Sequence, residues 1–118
     1  TGNYIHGWLN GLSMLSTYSW AISGNRIESC DMGMNLMSCG NCSISGNVLM
    51  RNKKGIYLTL NSNINVISGN RIDTSACGSS DYPVEIISGD NNLVVGNLMK
   101  GKSYSNSGLD NLFADNVN

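Results

Sequence analysis

Ile22-Ser23-Gly24-Asn25 is written again in this chain as Ile44-Ser45-Gly46-Asn47 and as Ile67-Ser68-Gly69-Asn70. A looser copy stands at Val94-Val95-Gly96-Asn97, and Gly2-Asn3 is a truncated one. The asparagines at 3, 25, 47, 70 and 97 are separated by 22, 22, 23 and 27 residues. Self-similarity at such a period is the mark of a solenoid, in which each repeat is one turn of a stacked coil.

Working outward from the asparagine makes each repeat readable. Directly after it come Tyr4-Ile5-His6, Arg26-Ile27-Glu28, Val48-Leu49-Met50, Arg71-Ile72-Asp73 and Leu98-Met99-Lys100. The middle residue is always apolar and its neighbours are mostly polar, which is the alternation of a half-buried strand. A second alternating run follows: Leu12-Ser13-Met14, Met34-Asn35-Leu36, Ile56-Tyr57-Leu58 and Val84-Glu85-Ile86. Gly11, Gly33, Gly55 and Pro83 precede these runs and read as turn residues. A third run leads into the signature, with Ile22, Ile44, Ile67 and Val94 pointing inward. Three strands per repeat describe an all-β parallel β-helix of about five coils of 22–27 residues. Its core is expected to be four columns: Ile5/Ile27/Leu49/Ile72/Met99, Leu12/Met34/Ile56/Val84, Met14/Leu36/Leu58/Ile86 and Ile22/Ile44/Ile67/Val94. A helical bundle would need a 3.6-residue period, and no segment supplies one.

At the signature corner, stacked asparagines can pass amide-to-carbonyl hydrogen bonds from coil to coil. Asparagine also tolerates a left-handed backbone. The glycine before it is read as removing a Cβ from the tightest point of the bend. The coils fill residues 1–100. Residues 101–118 lose the rhythm and are read as a C-terminal loop or cap, with Leu109, Leu112 and Phe113 over the last coil and a faded corner at Asp115-Asn116-Val117.

The run Gly55-Ile56-Tyr57-Leu58, through Asn63 to Ile67-Ser68-Gly69-Asn70-Arg71-Ile72, resembles the repeats of the pectate-lyase-like superfamily of right-handed parallel β-helices. The match is specific for fold and unspecific for activity. The resemblance implies right-handed winding, in line with the general hand of parallel crossovers. It also implies an extracellular or virion-surface setting, and a polysaccharide or cell-surface glycan as partner. Because the chain opens inside a repeat, it is read as a C-terminal piece of a longer protein. Its first coil is then covered by upstream coils or by another chain, and such proteins are often homotrimers.

Composition narrows the classes. Charged residues are 13% of the chain, about half the usual share, while apolar residues reach 41%, enough to bury a core. With a net charge of −1 and no basic cluster beyond Lys53-Lys54, the electrostatic footprint of a nucleic-acid binder is missing. No apolar run approaches the ~20 residues needed to span a bilayer as a helix. Cys39-Gly-Asn-Cys42 has CxxC spacing, but no second pair and no nearby histidine accompany it. Cys30, Cys39, Cys42 and Cys77 therefore read as packing residues, with a disulfide between some pair as the open alternative, and no metal site is assigned.

Chemistry, if the coils carry any, belongs to outward residues. Glu28 and Asp73 fall at the same position two coils apart, so their backbones stand ~10 Å from one another. That is close to the ~6.5–9.5 Å carboxyl spacing of inverting glycosidases. His6, one coil from Glu28, is a candidate proton-transfer partner. Arg26 and Arg71 beside them could hold an acidic sugar. Tyr57, with Trp8, Tyr18, Trp20 and Tyr82, offers platforms for sugar rings, although Trp20 reads equally well as core. The insertion from Asp73 to Tyr82 projects Asp81 and, with Glu85 and Asp90, forms a second candidate ligand-binding group. Calcium is conceivable there, yet the spacing matches no calcium loop, and no cofactor is assigned. The competing reading of all these charges is a solvated face of weak exposed ion pairs.

Three functions stay in play. The first is the terminal portion of a carbohydrate-active protein, such as a tailspike, lyase or hydrolase, in which this piece is mainly structural and glycan-binding. The second is a non-catalytic β-helical stalk or adhesion module. The third is a uronate epimerase or lyase.

Overall fold

In the computed structural model, which describes residues 1–76 and 82–118, the strands run in chain order as β1 (Tyr4–His6), β2 (Asn10–Leu15), β3 (Ala21–Ser23), β4 (Arg26–Glu28), β5 (Met32–Met37) and β6 (Ser43–Ser45). They continue as β7 (Val48–Met50), β8 (Lys54–Thr59), β9 (Val66–Ser68), β10 (Arg71–Asp73), β11 (Val84–Ile86), β12 (Leu93–Val95), β13 (Leu98–Lys100), β14 (Ser105–Asn106) and β15 (Leu112–Ala114). Every third strand joins one sheet. Sheet A is β1-β4-β7-β10-β13, sheet B is β2-β5-β8-β11-β14, and sheet C is β3-β6-β9-β12-β15. All pairings are parallel, so five coils of three strands stack as a β-solenoid, and no described residue is helical.

The four expected columns are the observed ones. Ile5↔Ile27↔Leu49↔Ile72↔Met99 run through sheet A. Leu12↔Met34↔Ile56↔Val84 and Met14↔Leu36↔Leu58↔Ile86 run through sheet B. Ile22↔Ile44↔Ile67↔Val94 run through sheet C, where Phe113 adds a fifth member and Tyr104 stacks on it at 3.7 Å. From Ile27 to Ile86 the column members are fully buried. Burial of each large aliphatic is worth on the order of 1.5–3 kcal/mol, which fixes the winding register. The stretch 101–118 contributes β14 and β15 to the fifth coil. Of its apolar residues, Phe113 packs on the core while Leu109 and Leu112 face outward.

Two glycine readings need correction. The signature glycines are the left-handed residues of the corner, with φ between 62° and 70°, and no signature asparagine shares that conformation. A Cβ at Gly46, Gly69 or Gly96 would meet nothing within 4 Å, so the backbone sign and not crowding selects glycine there. Gly11, Gly33 and Gly55 are second residues of strands, not turn residues. A Cβ on Gly33 would sit 2.7 Å from the Gly55 carbonyl oxygen and 2.8 Å from Leu49 Cδ2. These glycines therefore let sheet B bend tightly over the sheet A column.

The asparagine corner forms the expected ladder, and it extends to six rungs. The backbone and side-chain N–H groups of each asparagine donate to Oδ1 of the next, from Asn3 through Asn25, Asn47, Asn70 and Asn97 to Asn116, at 2.9–3.1 Å. A second ladder, Asn65–Asn92–Asn111, stands five residues before the first in each coil. Sequence reading missed it because its column begins with Trp20 and Cys42 and turns to asparagine only from the third coil.

Candidate functional site

Sheet A presents two outward rows, Tyr4/Arg26/Val48/Arg71/Leu98 and His6/Glu28/Met50/Asp73/Lys100. Glu28 is nearly enclosed although it lies on the outer face. The Tyr4 hydroxyl donates to its Oε1, and Arg26 Nη2 lies 2.9 Å from Oε2. The Tyr4 hydrogen bond holds the Glu28 carboxyl below its ordinary pKa, with help from Arg26 and the Arg51 charge and against the effect of burial. The same bond raises the Tyr4 phenol.

Asp73, two strands from Glu28, is partly buried, which would raise its pKa. Hydrogen bonds from Ser75 N (3.0 Å) and Ser75 Oγ (2.6 Å), then the Lys100 and Arg71 charges, outweigh that and lower it. Both carboxyls are thus held as anions, a form suited to a base, a cation ligand or an ion pair and not to a proton donor. His6 pairs with Glu28 in register, and its ring lies 6.3 Å from that of Tyr4, while the Glu28 oxygens go to Tyr4 and Arg26. Tyr4 was absent from the sequence-level site. Its cue was the alternation itself, which puts Tyr4 and Arg26 in one row.

Sheet B brings Tyr57 and Glu85 side by side in one row, Ser13/Asn35/Tyr57/Glu85/Ser105. Lys54, which sequence reading left out of the site, joins them. Its ammonium is 2.7 Å from Glu85 Oε2 and 4.1 Å from the Tyr57 ring centroid. One face of the Tyr57 ring is therefore covered by a cation, and the tyrosine is not a bare stacking platform. Asn35, in the middle of this face, is only 7% exposed. Its Oδ1 and that of Asn10 on the neighbouring strand are buried with no hydrogen-bond partner. Met32 and Met37, half-buried, flank Asn35 along its own strand.

The other platforms are dispersed. Trp8, Tyr18 and Trp20 are all exposed. Trp20 is not core, although it helps line a 330 Å³ apolar cavity with Ile5, Leu12, Met14 and Ile22 in the first coil. Tyr82 carries the Lys102 ammonium 5.3 Å from its ring centroid. Asp81 lies outside the described residues, as does the rest of the stretch 77–81 with Cys77.

Compared with curated proteins and with solved structures, the chain returns no match. The family model described as periplasmic copper-binding protein (NosD) matches residues 1–117. The β-solenoid that the resemblance implied is the fold observed, and the family model places the sequence more narrowly: the chain belongs to the NosD family.

Proposed function

We propose that this chain is a β-helical module working on the periplasmic side of the membrane, structural in its coils and glycan-binding on the outer face of sheet B. The observation that carries the reading is the unpaired, enclosed Oδ1 of Asn35, with that of Asn10 on the same face. A buried acceptor left without a donor costs about 1–3 kcal/mol, a cost that a ligand rich in hydroxyl donors removes once a rotation of the asparagine amide turns the oxygen toward the outer face. Saccharides combine such donors with apolar ring faces, and Tyr57, Met32 and Met37 supply apolar surface around the acceptors. The Lys54–Glu85 pair at one margin adds a charged donor and acceptor at fixed positions.

The test is calorimetric titration and array screening of the chain against neutral and acidic oligosaccharides, with Asn35→Leu as the variant. Binding that Asn35→Leu weakens at least tenfold, with thermal stability kept or raised, supports the reading. Absence of any glycan binding, or equal binding by Asn35→Leu, defeats it. A uronate lyase or epimerase is the lesser reading. It would draw on Arg26 and Arg71, and Arg26 is already engaged by Glu28.

Copper, which the family's description names, is taken best by thiolate, thioether and imidazole groups. Cys30, Cys39 and Cys42 are free thiols turned into the core, and each donates to a backbone carbonyl (Glu28, Met14 and Met37, and Gly40, respectively). His6 stands outward on sheet A, in register with Glu28 and one coil from Cys30, whereas the three thiols turn inward, and no three His, Cys, Asp or Glu side chains cluster among the described residues. The three thiols and His6 do not assemble a copper centre, and the function proposed for this chain does not run through the metal.

A further inference from the structure

Sheet C differs from the other two in what it shows outward. Its rows are Ala21/Ser43/Val66/Leu93/Leu112 and Ser23/Ser45/Ser68/Val95/Ala114. None of the ten is charged, whereas sheet A displays Arg26, Glu28, Arg71, Asp73 and Lys100, and sheet B displays Lys54 and Glu85. The first row also grows steadily along the solenoid axis, from alanine and serine in the first two coils, through valine, to leucine in the last two.

Beside the centre of this face the chain breaks a local rule. Ser19, Asn41, Ile64, Asn91 and Asp110 occupy one corner position, six residues before each signature asparagine, and all have φ between 53° and 58°. Four are polar residues that tolerate a left-handed backbone. The fifth, Ile64, is β-branched and 56% exposed. A strained apolar residue kept at the surface, two positions from the exposed Val66, indicates service to something other than its own fold.

We propose that sheet C is the interface between two copies of this chain, packed face to face with their solenoid axes antiparallel. A two-fold axis near Val66 then sets the Ala21/Ser43 half of one copy against the Leu93/Leu112 half of the other, so that small residues meet large ones in both directions. That is the self-complementarity an isologous interface demands. The ten strand residues bring no like-charge penalty, the corner Asp110 of each copy lies toward the Ser19 end of the other, and the facing sheets lie ~10 Å apart as in a β-sandwich. Ile64 and Val66 sit near the centre, where anchor residues concentrate. One whole lateral side of this 30 × 25 × 21 Å body measures roughly 700 Å², so sheet C with its flanking corners makes an interface at the small end of the standard size of ~800 Å² per partner. A three-fold arrangement of parallel solenoids would instead set leucine against leucine at one end and serine against serine at the other. The glycan face on sheet B stays open in the pair, so this inference does not depend on that reading.

The experiment is sedimentation equilibrium on the purified chain and on Val66→Arg, with circular dichroism to confirm the β fold of both. A concentration-dependent dimer for the wild type and a folded monomer for Val66→Arg are expected. A wild type that stays monomeric at the highest concentration reached, a trimer, or a Val66→Arg dimer overturns the proposal. Geometry is read separately in a Cys77→Ser background. Val66→Cys should cross-link to itself across the two-fold, and Leu112→Cys should not; equal cross-linking at both positions rejects the antiparallel arrangement.

Discussion

Asn47 Nδ2 donates to Asn70 Oδ1 at 3.0 Å, and the same Asn70 oxygen accepts the Asn47 backbone N–H at 2.9 Å. One oxygen thereby satisfies two donors of the preceding coil, while Asn70 Nδ2 reaches back to the Ile44 carbonyl at 2.9 Å. Each asparagine joins three successive coils at a bend where the ladder of the sheets is interrupted.

Asn70→Ala should therefore cost more than a lost side-chain contact. It leaves the Asn47 backbone N–H without its acceptor, removes one of the bonds of Asn47 Nδ2, which keeps the Ile22 and Ser45 carbonyls, and takes the Asn70 donor from the Ile44 carbonyl, all in a site that is 1% exposed. At about 1–3 kcal/mol for an unsatisfied buried group, the loss should be about 3 kcal/mol. Urea denaturation reads it directly, and a loss under about 0.5 kcal/mol would contradict the ladder's role.

Two glycine substitutions should separate crowding from backbone sign. Gly69→Ala places a methyl in open space at φ 62° and should cost about 1–2 kcal/mol, the penalty of a left-handed L-residue. Gly33→Ala drives a methyl against the Gly55 carbonyl and Leu49 in the packed interior, and overpacking of that kind costs about 1–3 kcal/mol or more. Thermal melts should rank Gly33→Ala as the more damaging; the reverse order would refute the assignment.

Acid should weaken the sheet A cluster. Glu28 and Asp73 both have folded pKa values below their ordinary ones, so their stabilising contribution is present above the unfolded values. It begins to fade near pH 4.5, the ordinary value for Glu28, and is lost as pH falls through the lower folded values. Tyr4→Phe removes the main cause of the Glu28 shift, so the drop in melting temperature between pH 6 and 3 should become shallower than in the wild type. An unchanged acid slope would show that the Tyr4–Glu28 bond does not operate in solution.

Leu58 lies fully buried in the third column between Leu36 and Ile86. Leu58→Ala should cost about 2–5 kcal/mol, and Leu58→Asp, an unpaired charge in the same place, should abolish the folded state. A soluble Leu58→Asp chain with the wild-type circular dichroism spectrum would mean the column is wrongly drawn.

Lys54→Met should expose the dependence of Glu85 on its partner. The Glu85 side chain is 11% exposed and the Lys54 side chain 32%, so the pair is only partly screened by water. Removing the cation leaves an enclosed carboxylate, at a cost of roughly 1–3 kcal/mol near neutral pH, allowing for the solvent-facing lysine. Glu85→Gln in the Lys54→Met background should recover part of that loss. A double variant no more stable than Lys54→Met alone would argue against the pairing.

The sequence by itself determined the period, the four inward columns, the three-sheet winding and the asparagine corner. It could do so because in a stacked coil the neighbour of residue i is the residue one repeat away, so counting along the chain is equivalent to measuring across the sheet. Only the tertiary structure decided which residue of the corner turns left-handed, why glycines lie inside the sheet B strands, and where outward side chains end. Lys54 folds along its strand over Tyr57 to Glu85, and Tyr4 reaches sideways to Glu28. Those contacts depend on rotamers and on the bend at Gly33 and Gly55, which no repeat period encodes. Likewise, the unpaired acceptors of Asn10 and Asn35 emerge only when every neighbouring donor has a place, because satisfaction of a polar group is a property of its surroundings and not of its position in the repeat.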